Sequence, residues 1–312
     1  MSTAPRLTVG LPTYNGETYL AEALDALLGQ TFGDFELVIS DNASTDATED
    51  ISRDYAKRDS RVRYVRQPSN LGCAANHNYL VDVARGEMFK WASDDDLYAR
   101  DLLGSCVGVL DKNPDVILSH AWTAMIDADG EVTTKAGYTL DTDSPDPAER
   151  FRSLLFGIGG DDDYGVIRTD VLRRTALNQS YWHADRTIVA ELALHGRFRH
   201  VEEPLYFRRD HPGAMRRQRS VRSWCANQDP RRADKLRHPM PRLLGEYILG
   251  YVNAIRRAPL TAAERRRCLR ALAGWMSSRA VPHRIGTIPP VPAEAIGEVA
   301  PLHTLVAGRR PA

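Results

Sequence analysis

The chain has 312 residues, with 41 Lys and Arg against 41 Asp and Glu, a formal net charge of zero, and 43% hydrophobic residues. This balance excludes a uniformly basic nucleic-acid binder, an acidic disordered chain and a supercharged protein. The zero is a cancellation, because residues 1–165 carry 14 bases and 29 acids and residues 166–312 carry 27 bases and 12 acids. The position of the charges is therefore more informative than their sum.

The sequence predicts a cytoplasmic protein. No apolar run approaches the ~18 residues that span a bilayer, and the first residues lack the apolar stretch of a signal peptide. The four cysteines, Cys73, Cys106, Cys225 and Cys268, are widely scattered and form no Cys-x-x-Cys pair. This spacing favours reduced thiols over a disulfide or metal role.

Strand and helix signals alternate over the first 125 residues, which is typical of βαβ units and a mostly parallel sheet flanked by helices. The predicted strands are 7–11, 35–39, 62–65, 87–92 and 116–121. The predicted helices are 20–28, 71–84 and 101–110, with a further helix opened by Asp46 and Glu49 in a capping arrangement. The fold class is therefore α/β.

The second half of the chain gives weaker signals. Asp127 to Gly130 predicts a hairpin-type turn, and polar residues predict a loop over 137–150. Order returns as strand, helix and strand over 165–175, 181–195 and 197–207. Eleven Lys or Arg and four prolines predict a long basic loop over 208–242. Two helices follow, over 243–255 and from the capping box at 261–264, and the Pro-rich tail from residue 281 is predicted to be extended.

Polar side chains follow three of the predicted strands, where an open α/β sheet binds its ligands. These groups are 12–15, 41–42 and 93–96. No Gly-x-Gly-x-x-Gly follows the first strand and no Gly-Lys-Ser/Thr loop occurs, so dinucleotide oxidoreductases and P-loop enzymes fit poorly. The carboxylates of Asp94, Asp95 and Asp96 repel one another, which favours a hard cation such as Mg²⁺ or Mn²⁺ among them. The alternative is that they cap the helix that follows.

The ordered set of these segments resembles inverting family 2 glycosyltransferases of the GT-A fold, which use nucleotide-sugar donors. The matching stretches are Leu11-Pro-Thr-Tyr-Asn-Gly16, Ile39-Ser-Asp-Asn-Ala-Ser-Thr-Asp46, Asn70-Leu-Gly-Cys-Ala-Ala-Asn76, Trp91-Ala-Ser-Asp-Asp-Asp96 and Trp182-His-Ala-Asp-Arg186. Together they fall within residues 7–211. The resemblance implies a GT-A-like nucleotide-binding sheet with a C-terminal helical extension.

The resemblance also implies a donor site. Its nucleotide-binding residues would be Pro12, Thr13, Asn15, Glu17, Asp41, Asn42, Gly72 and Asp94. Asp41 would accept hydrogen bonds from a uracil or thymine imide. The alternative is that Asp41 is a turn residue with no role in nucleotide binding. Gly72 would allow close packing near the nucleoside, or it would only shape a turn.

The family's metal-binding Asp-x-Asp element maps ambiguously onto residues 93–96. We favour Asp95 as the ligand of Mn²⁺ or Mg²⁺, with Asp94 towards the ribose and Asp96 as a further ligand or a helix cap; Asp94 with Asp96 is the alternative pair. His211 would complete the metal site or contact a phosphate, and Arg208 and Arg209 would neutralise the diphosphate. The arginines at 216, 217 and 219 would form a lid.

Asp185 matches the family's general base, at the start of a predicted helix. The alternative is a helix N-cap without a role in catalysis. In the family layout Asp161, Asp162 and Trp182 would border the acceptor, although Trp182 and Tyr181 could equally be core aromatics.

These assignments predict a metal-dependent transfer of a sugar, with inversion at the anomeric carbon, to a hydroxyl of a saccharide or glycolipid. The donor would be a nucleoside-diphosphate sugar, with UDP favoured over other nucleotides. The process would be polysaccharide synthesis for the cell envelope. A sugar nucleotidyltransferase or a non-catalytic sugar- or nucleotide-binding scaffold is the alternative. No nucleic-acid partner is expected, whereas a second copy of the chain and the inner face of a membrane are left open as partners. The predicted divisions are a donor half over 1–125, an acceptor and catalytic half over 126–215, a basic flexible loop over 216–242, C-terminal helices over 243–280 and a tail over 281–312.

Overall fold

The computed structural model describes residues 4–138, 140–157, 162–214, 220–280 and 302–306. Nine strands in this part of the chain belong to one sheet. They are β1 (Leu7–Thr13), β2 (Phe35–Asp41), β3 (Val62–Arg66), β4 (Met88–Trp91), β5 (Leu97–Tyr98), β6 (Val116–Ile126), β7 (Val132–Ala136), β8 (Val166–Arg168) and β9 (Arg197–Arg209).

Helices flank this sheet and continue beyond it. They are α1 (Leu20–Leu28), α2 (Thr48–Arg58), α3 (Cys73–Asp82), α4 (Leu102–Lys112), α5 (Pro147–Phe156), α6 (Thr169–Leu172), α7 (Ala184–His195), α8 (Val221–Gln228), α9 (Met240–Arg257), α10 (Ala262–Ala280) and α11 (Leu302–Leu305). The architecture is α/β, and the predicted C-terminal helical extension is present as α9 and α10.

The sheet is mixed, with the order β3-β2-β1-β4-β8-β6-β9-β5 and β7 paired to β6. The first four strands are parallel. The short strand β8 is antiparallel to both β4 and β6, and β5 is antiparallel to β9. The prediction of a mostly parallel sheet therefore holds for the first four strands, and the later strands add antiparallel pairs.

Both faces of the parallel region of the sheet are buried. Successive residues of each strand point to opposite faces, so each strand contributes side chains to the core on both sides of the sheet. In β2, Leu37 and Ile39 pack in the hydrophobic cluster that contains α1 and α4. Val38, between them, packs in a second cluster with side chains of α3 and α7. The helices are thus fixed on both faces, and the carboxyl ends of β1, β2 and β4 share one edge.

The C-terminal helices are attached to the sheet through α7. A third cluster joins side chains of α5, α7, α9 and α10, including Phe151, Tyr251 and Trp275. The predicted capping box is confirmed, since the Thr261 backbone N–H donates to Glu264 Oε2 at 2.7 Å and the Glu264 N–H donates to Thr261 Oγ1 at 3.3 Å.

Two predicted loops contain helices. Helix α5 begins at Pro147, inside the loop expected over 137–150, because Asp146 accepts a hydrogen bond from the Ala148 N–H at 2.9 Å as an N-cap. Helix α8 lies inside the basic loop expected over 208–242, where Ser220 caps it and Cys225 is buried. Both helices were predicted as loops because their segments are rich in charged residues and proline.

One predicted cap is confirmed in part and another is wrong. Asp46 Oδ1 accepts from the Thr48 N–H at 3.0 Å at the start of α2, as a capping side chain does, whereas Glu49 pairs with Arg53 and does not complete a capping box. Asp96 caps no helix, because the residues after it form β5 and α4 begins only at Leu102.

All four cysteines have free thiols, as predicted. Among the helices of the described ranges, none is both long and apolar enough to cross a membrane. The tail prediction falls almost wholly on residues outside the described part; Leu302 and Val306, which are described, pack in the core beside α4.

Candidate active site

A cleft of about 950 Å³ opens at the carboxyl edge of the parallel strands. The ends of β1, β2 and β4 form one side of it. The start of α7, the end of β9 and helix α8 form the other side. Of the predicted site residues, the cleft is lined by Pro12, Thr13, Asn42, Asp94, Asp95, Asp96, Trp182, Asp185, Arg208 and Arg209.

Asn15 and Glu17 join two loops beside the cleft. The Thr45 N–H donates to Asn15 Oδ1 at 2.8 Å, and the Ala47 N–H donates to Glu17 Oε2 at 2.9 Å. Asn15 adopts the left-handed conformation (φ 54°), which asparagine tolerates. These bonds fix the loop after β1 on the loop after β2, so both side chains hold the edge of the site together.

Asp41 is fully buried and already has three hydrogen-bond donors. The Ser44 N–H reaches Oδ1 at 2.8 Å, and Tyr64 Oη and Arg66 Nη1 reach Oδ2 at 2.8 and 2.7 Å. Burial, followed by the hydrogen bond to Asp41, raises the pKa of Tyr64 to about 12. Asp41 therefore orders β2 and β3 in this structure, which is the turn-residue alternative, and it is absent from the cleft lining.

Gly72 brings α8 against the loop before α3. Its φ is 87°, and a Cβ there would lie 2.9 Å from Asp229 Cα and closer still to the Gln228 carbonyl oxygen. Asn42 holds the same loop, because its Oδ1 accepts from the Leu71 N–H at 2.8 Å. The close approach predicted for Gly72 is real, and the neighbour is the end of α8.

The three consecutive carboxylates have different surroundings. Asp94 accepts a hydrogen bond from Thr13 Oγ1 at 2.5 Å, and burial together with the charge of Asp95 raises the pKa of Asp94 to about 7. Asp95 accepts from Ser93 Oγ and lies 2.9 Å from His211 Nε2. Asp94 and Asp95 therefore present oxygens towards the cleft.

Asp96 is buried, and β9 occupies both of its oxygens. Tyr206 Oη donates to Oδ2, and the Arg209 backbone N–H donates to Oδ1 at 2.8 Å. Burial, followed by the charge of Asp95, raises the pKa of Asp96 to about 7. The assignment of Asp96 as a metal ligand is corrected on this geometry: Asp96 anchors the acidic loop to β9.

The two predicted diphosphate arginines also differ. Arg209 is buried, and its guanidinium donates to the carbonyls of Asp95 (2.7 Å) and Ala128 (2.9 Å) and to Glu22 Oε2 (2.6 Å). Its role as a phosphate ligand is corrected for that reason, since every nitrogen has a partner. Arg208 lines the cleft and remains the candidate for the diphosphate.

Asp95 and His211 are of residue types that bind divalent ions, and in this structure they pair with each other. His211 Nε2 lies 2.9 Å from Asp95 Oδ2, which is the distance of a hydrogen bond or ion pair between them. No group of three or more His, Cys, Asp or Glu in the described ranges could hold an ion alone. Divalent ions at such sites take one or two protein ligands and complete their shell with substrate phosphates.

Asp185 lies in the first turn of α7 and is exposed in the cleft. It is not the N-cap, because that position is His183, whose left-handed backbone (φ 55°) aims the helix start into the cleft. Such conformations in non-glycine residues cluster at functional sites. With the residues that the structure describes, the Asp185 carboxylate makes no hydrogen bond or ion pair, so it is available to a ligand.

Asp185 and Asp94 line the cleft together with Cys73. Burial, followed by the charge of Asp94, raises the pKa of the Cys73 thiol to about 12, and the charge of Asp185 contributes in the same direction, whereas a hydrogen bond with Gln228 acts against this shift. The carboxylate on α7 and the carboxylate after β4 therefore border one cleft.

The wall near Asp185 is aromatic. The rings of Trp182 and Trp224 have centroids 5.7 Å apart at 71°, and both line the cleft with Asn178 and Asn227. Tyr181 is buried in the core instead, with its hydroxyl 2.8 Å from Thr187 Oγ1. Sequence reasoning missed Trp224 and Asn227, because the helix that carries them was predicted as a loop.

Two described residues of the second acidic triplet differ, because Asp163 lines the cleft and Asp162 does not. Asp162 is fully buried and bonds to Tyr138 Oη at 3.0 Å and His200 Nε2 at 2.8 Å. The acceptor role of Asp162 is therefore corrected. Asp161 and the arginines at 216, 217 and 219 lie outside the described residues.

The fold is of the GT-A type, and comparison with known proteins gives the family. The model of glycosyl transferase family 2 matches residues 8–174, just over half of the chain. The chain belongs to this family and is a glycosyltransferase.

A curated relative is the GalNAc(5)-diNAcBac-PP-undecaprenol β-1,3-glucosyltransferase of Campylobacter jejuni, 26% identical over 191 residues and 60% of each chain. The chain spans less than two thirds of the length of the curated relatives it matches.

Solved structures share the fold. Residues 1–349 of S. aureus TarS align with a TM-score of 0.65 and 17% identity over 90% of this chain and 76% of that one; TarS has also been solved with UDP and with UDP-GlcNAc. GalNAc-T7, solved with UDP, GalNAc and Mn²⁺, aligns with a TM-score of 0.53 and 13% identity over 67% of this chain and 44% of that one.

Proposed function

We propose that the chain transfers a sugar from a UDP-sugar to a hydroxyl of a saccharide or lipid-linked saccharide, with inversion at the anomeric carbon and with Mn²⁺ or Mg²⁺. The observation that carries this proposal is the placement of Asp185, a carboxylate without a partner among the described residues, in the same cleft as Asp94 and Asp95. UDP in the TarS and GalNAc-T7 complexes supports the donor, and the name of the C. jejuni relative supports a lipid-linked saccharide acceptor.

Asp185 acts as the general base. The acceptor oxygen forms a bond to C1 of the donor sugar, and its proton passes to the Asp185 carboxylate. The bond from C1 to the diphosphate oxygen breaks on the opposite face, and the nucleoside diphosphate leaves with that electron pair. A positioned base typically contributes about 10²–10⁴-fold to the rate.

The remaining polar residues bind and orient the donor. Asp95 and His211 would hold the divalent ion, and Asp94, positioned by Thr13, would face the ribose. The ion supplies charge neutralisation for the leaving diphosphate. Arg208, which lines the cleft, would add positive charge against the same group.

The aromatic wall orients the acceptor. The apolar face of a pyranose packs on an indole, while its hydroxyls need polar partners. Trp182 and Trp224 offer the indole faces. Asn178 and Asn227 line the same wall, and neither side-chain amide has a partner among the described residues. The wall adjoins Asp185, so a sugar bound there presents a hydroxyl to the base.

The test combines donor binding with transfer. Calorimetry should show UDP binding to the wild type in Mn²⁺ and weaker binding to Asp95→Asn. With UDP-sugars and lipid-linked or free saccharide acceptors, Asp185→Asn should lose about 10²–10⁴-fold in kcat and retain UDP affinity. Asp50→Asn is the matched control, because Asp50 is also exposed in the first turn of a helix but lies away from the cleft.

Two results would overturn the proposal. Absence of UDP, dTDP and GDP binding in every metal condition would remove the donor site. Transfer by Asp185→Asn at the wild-type rate would remove Asp185 as the base. A non-catalytic scaffold would bind nucleotide and give no transfer with either protein.

A further inference from the structure

A surface at the start of α9 exposes several large apolar side chains. Leu236 is 94% exposed, and Met240 and Leu244 are about half exposed. Met240 and Leu244 are four residues apart on α9 and share one face. We call these three residues the apolar ridge. Single exposed leucines are ordinary, but three within nine residues form a patch that indicates an interaction site.

Cations surround the apolar ridge. Arg231 and Arg237 have side chains 86% and 84% exposed, and Lys235 and Arg242 are also exposed. The carboxylate that pairs with Arg231 lies deeper, since the Asp229 side chain is only 15% exposed. Glu246, which pairs with Arg242, is 20% exposed, whereas Asp234, which pairs with Arg237, is 42% exposed. Among the described residues of this surface, the exposed cations therefore outnumber the one exposed carboxylate, Asp234.

The ridge is held in a fixed position. The Arg222 guanidinium, on α8, donates to the carbonyls of Arg232 (3.1 Å) and His238 (2.9 Å). Arg232 is itself paired with Glu246 on α9 and donates to Ser180 Oγ at 3.1 Å. These bonds join the ridge to α8 and to the segment before α7, which together form the aromatic wall of the cleft.

We propose that the apolar ridge and its cations dock on an anionic membrane surface. Exposed cations around a small apolar insertion are the combination that binds such surfaces, because the cations meet lipid phosphates while the apolar side chains enter the interface. Docking places the wall that carries Trp224 beside the bilayer, where a lipid-linked saccharide presents its sugar. This last consequence rests on the proposed function, whereas docking does not.

The experiment is sedimentation of the full chain with lipid vesicles. The wild type should bind vesicles that contain about 30% phosphatidylglycerol, bind phosphatidylcholine alone weakly, and dissociate as salt is raised. The double variants Leu236→Ser/Leu244→Ser and Lys235→Glu/Arg237→Glu should each lower the bound-to-free ratio by about tenfold.

Matched controls lie on α10. Leu269→Ser and Arg270→Glu change exposed side chains of the same types away from the ridge and should leave binding unchanged. Equal losses in the controls, or no wild-type binding to anionic vesicles, would overturn the proposal. So would a dimer in light scattering that Leu236→Ser dissociates without any vesicle binding, because the ridge would then join two copies. These results test membrane docking only. The proposed function is tested separately, by UDP binding and by the comparison of Asp185→Asn with the wild type.

Discussion

Arg209 connects three segments around the acidic loop. Its guanidinium reaches Glu22 on α1, the Asp95 carbonyl and the Ala128 carbonyl, and it lies 4.5 Å from the centre of the Tyr19 ring. Arg209→Met keeps much of the apolar volume of the side chain but removes every side-chain hydrogen-bond donor. Two carbonyls lose a charged partner, at about 1–3 kcal/mol each. The pair with Glu22, which is more than one third exposed, adds about 1 kcal/mol at most.

We therefore expect Arg209→Met to lower the free energy of unfolding by about 3–5 kcal/mol, and Tm by roughly 10 °C. Because Asp95 and His211 are set by the same loop and strand, UDP affinity in Mn²⁺ should fall more than UDP affinity in EDTA. Urea denaturation and calorimetry measure the two effects. Arg174→Met, which removes an exposed helical pair with Asp170, should change stability by less than about 0.5 kcal/mol. Wild-type stability and metal-dependent binding in Arg209→Met would refute the reasoning.

Three further variants test other parts of the structure. Gly72→Ala should destabilise the chain by roughly 2–4 kcal/mol in urea denaturation, because a left-handed φ and the Gln228 carbonyl both oppose a Cβ. Trp224→Ala should raise the KM for a saccharide acceptor by about 5- to 150-fold while UDP affinity is unchanged, since a ring contact is worth about 1–3 kcal/mol. Burial acts to raise the pKa of Glu36, but hydrogen bonds from Arg85 and Thr8 outweigh it and lower the pKa. The ionised Glu36 carboxylate therefore stabilises the folded state at pH values above its ordinary pKa of about 4.3. This stabilisation is lost as the pH falls through the lower pKa of Glu36 in the folded chain. Glu36→Gln should therefore reduce the dependence of the free energy of unfolding on pH at acid pH.

Each of these variants has a control or a contrary result. Gly33→Ala meets no atom within 4 Å of the new Cβ and should be tolerated. Trp122→Ala removes a partly exposed indole of β6 outside the cleft and should leave the acceptor KM unchanged. Identical acid slopes for wild type and Glu36→Gln would show that the Arg85 pair contributes no stability.

Local sequence patterns were sufficient for the α/β architecture. Alternating apolar runs and helical stripes require only residues near one another in the chain, and the helix after β1 and the capping box at Thr261 and Glu264 occur where they were predicted. Polar residues after strands gave the location of the cleft for the same reason, because the carboxyl ends of parallel strands must share an edge. The prediction of a family 2 glycosyltransferase is confirmed.

The roles within the cleft depended on contacts between distant residues. Asp95 and Asp96 are chemically identical neighbours, and they differ only because Tyr206, 110 residues further along, donates to Asp96. Arg208 and Arg209 differ because adjacent residues of β9 point to opposite faces. Helix α8 could not be predicted from the sequence pattern, because it lies in a basic, Pro-rich region and only contacts with other parts of the chain bury Cys225 and pack Trp224 against Trp182.

The sequence by itself therefore determined the class of fold, the edge at which the site forms and Asp185 as a candidate base. The tertiary structure decided which carboxylates, arginines and aromatic rings remain available to a ligand and which are already committed to holding the site together. The physical reason is that periodicity and turn chemistry are local, whereas the partners of a buried polar group come from wherever the folded chain brings them.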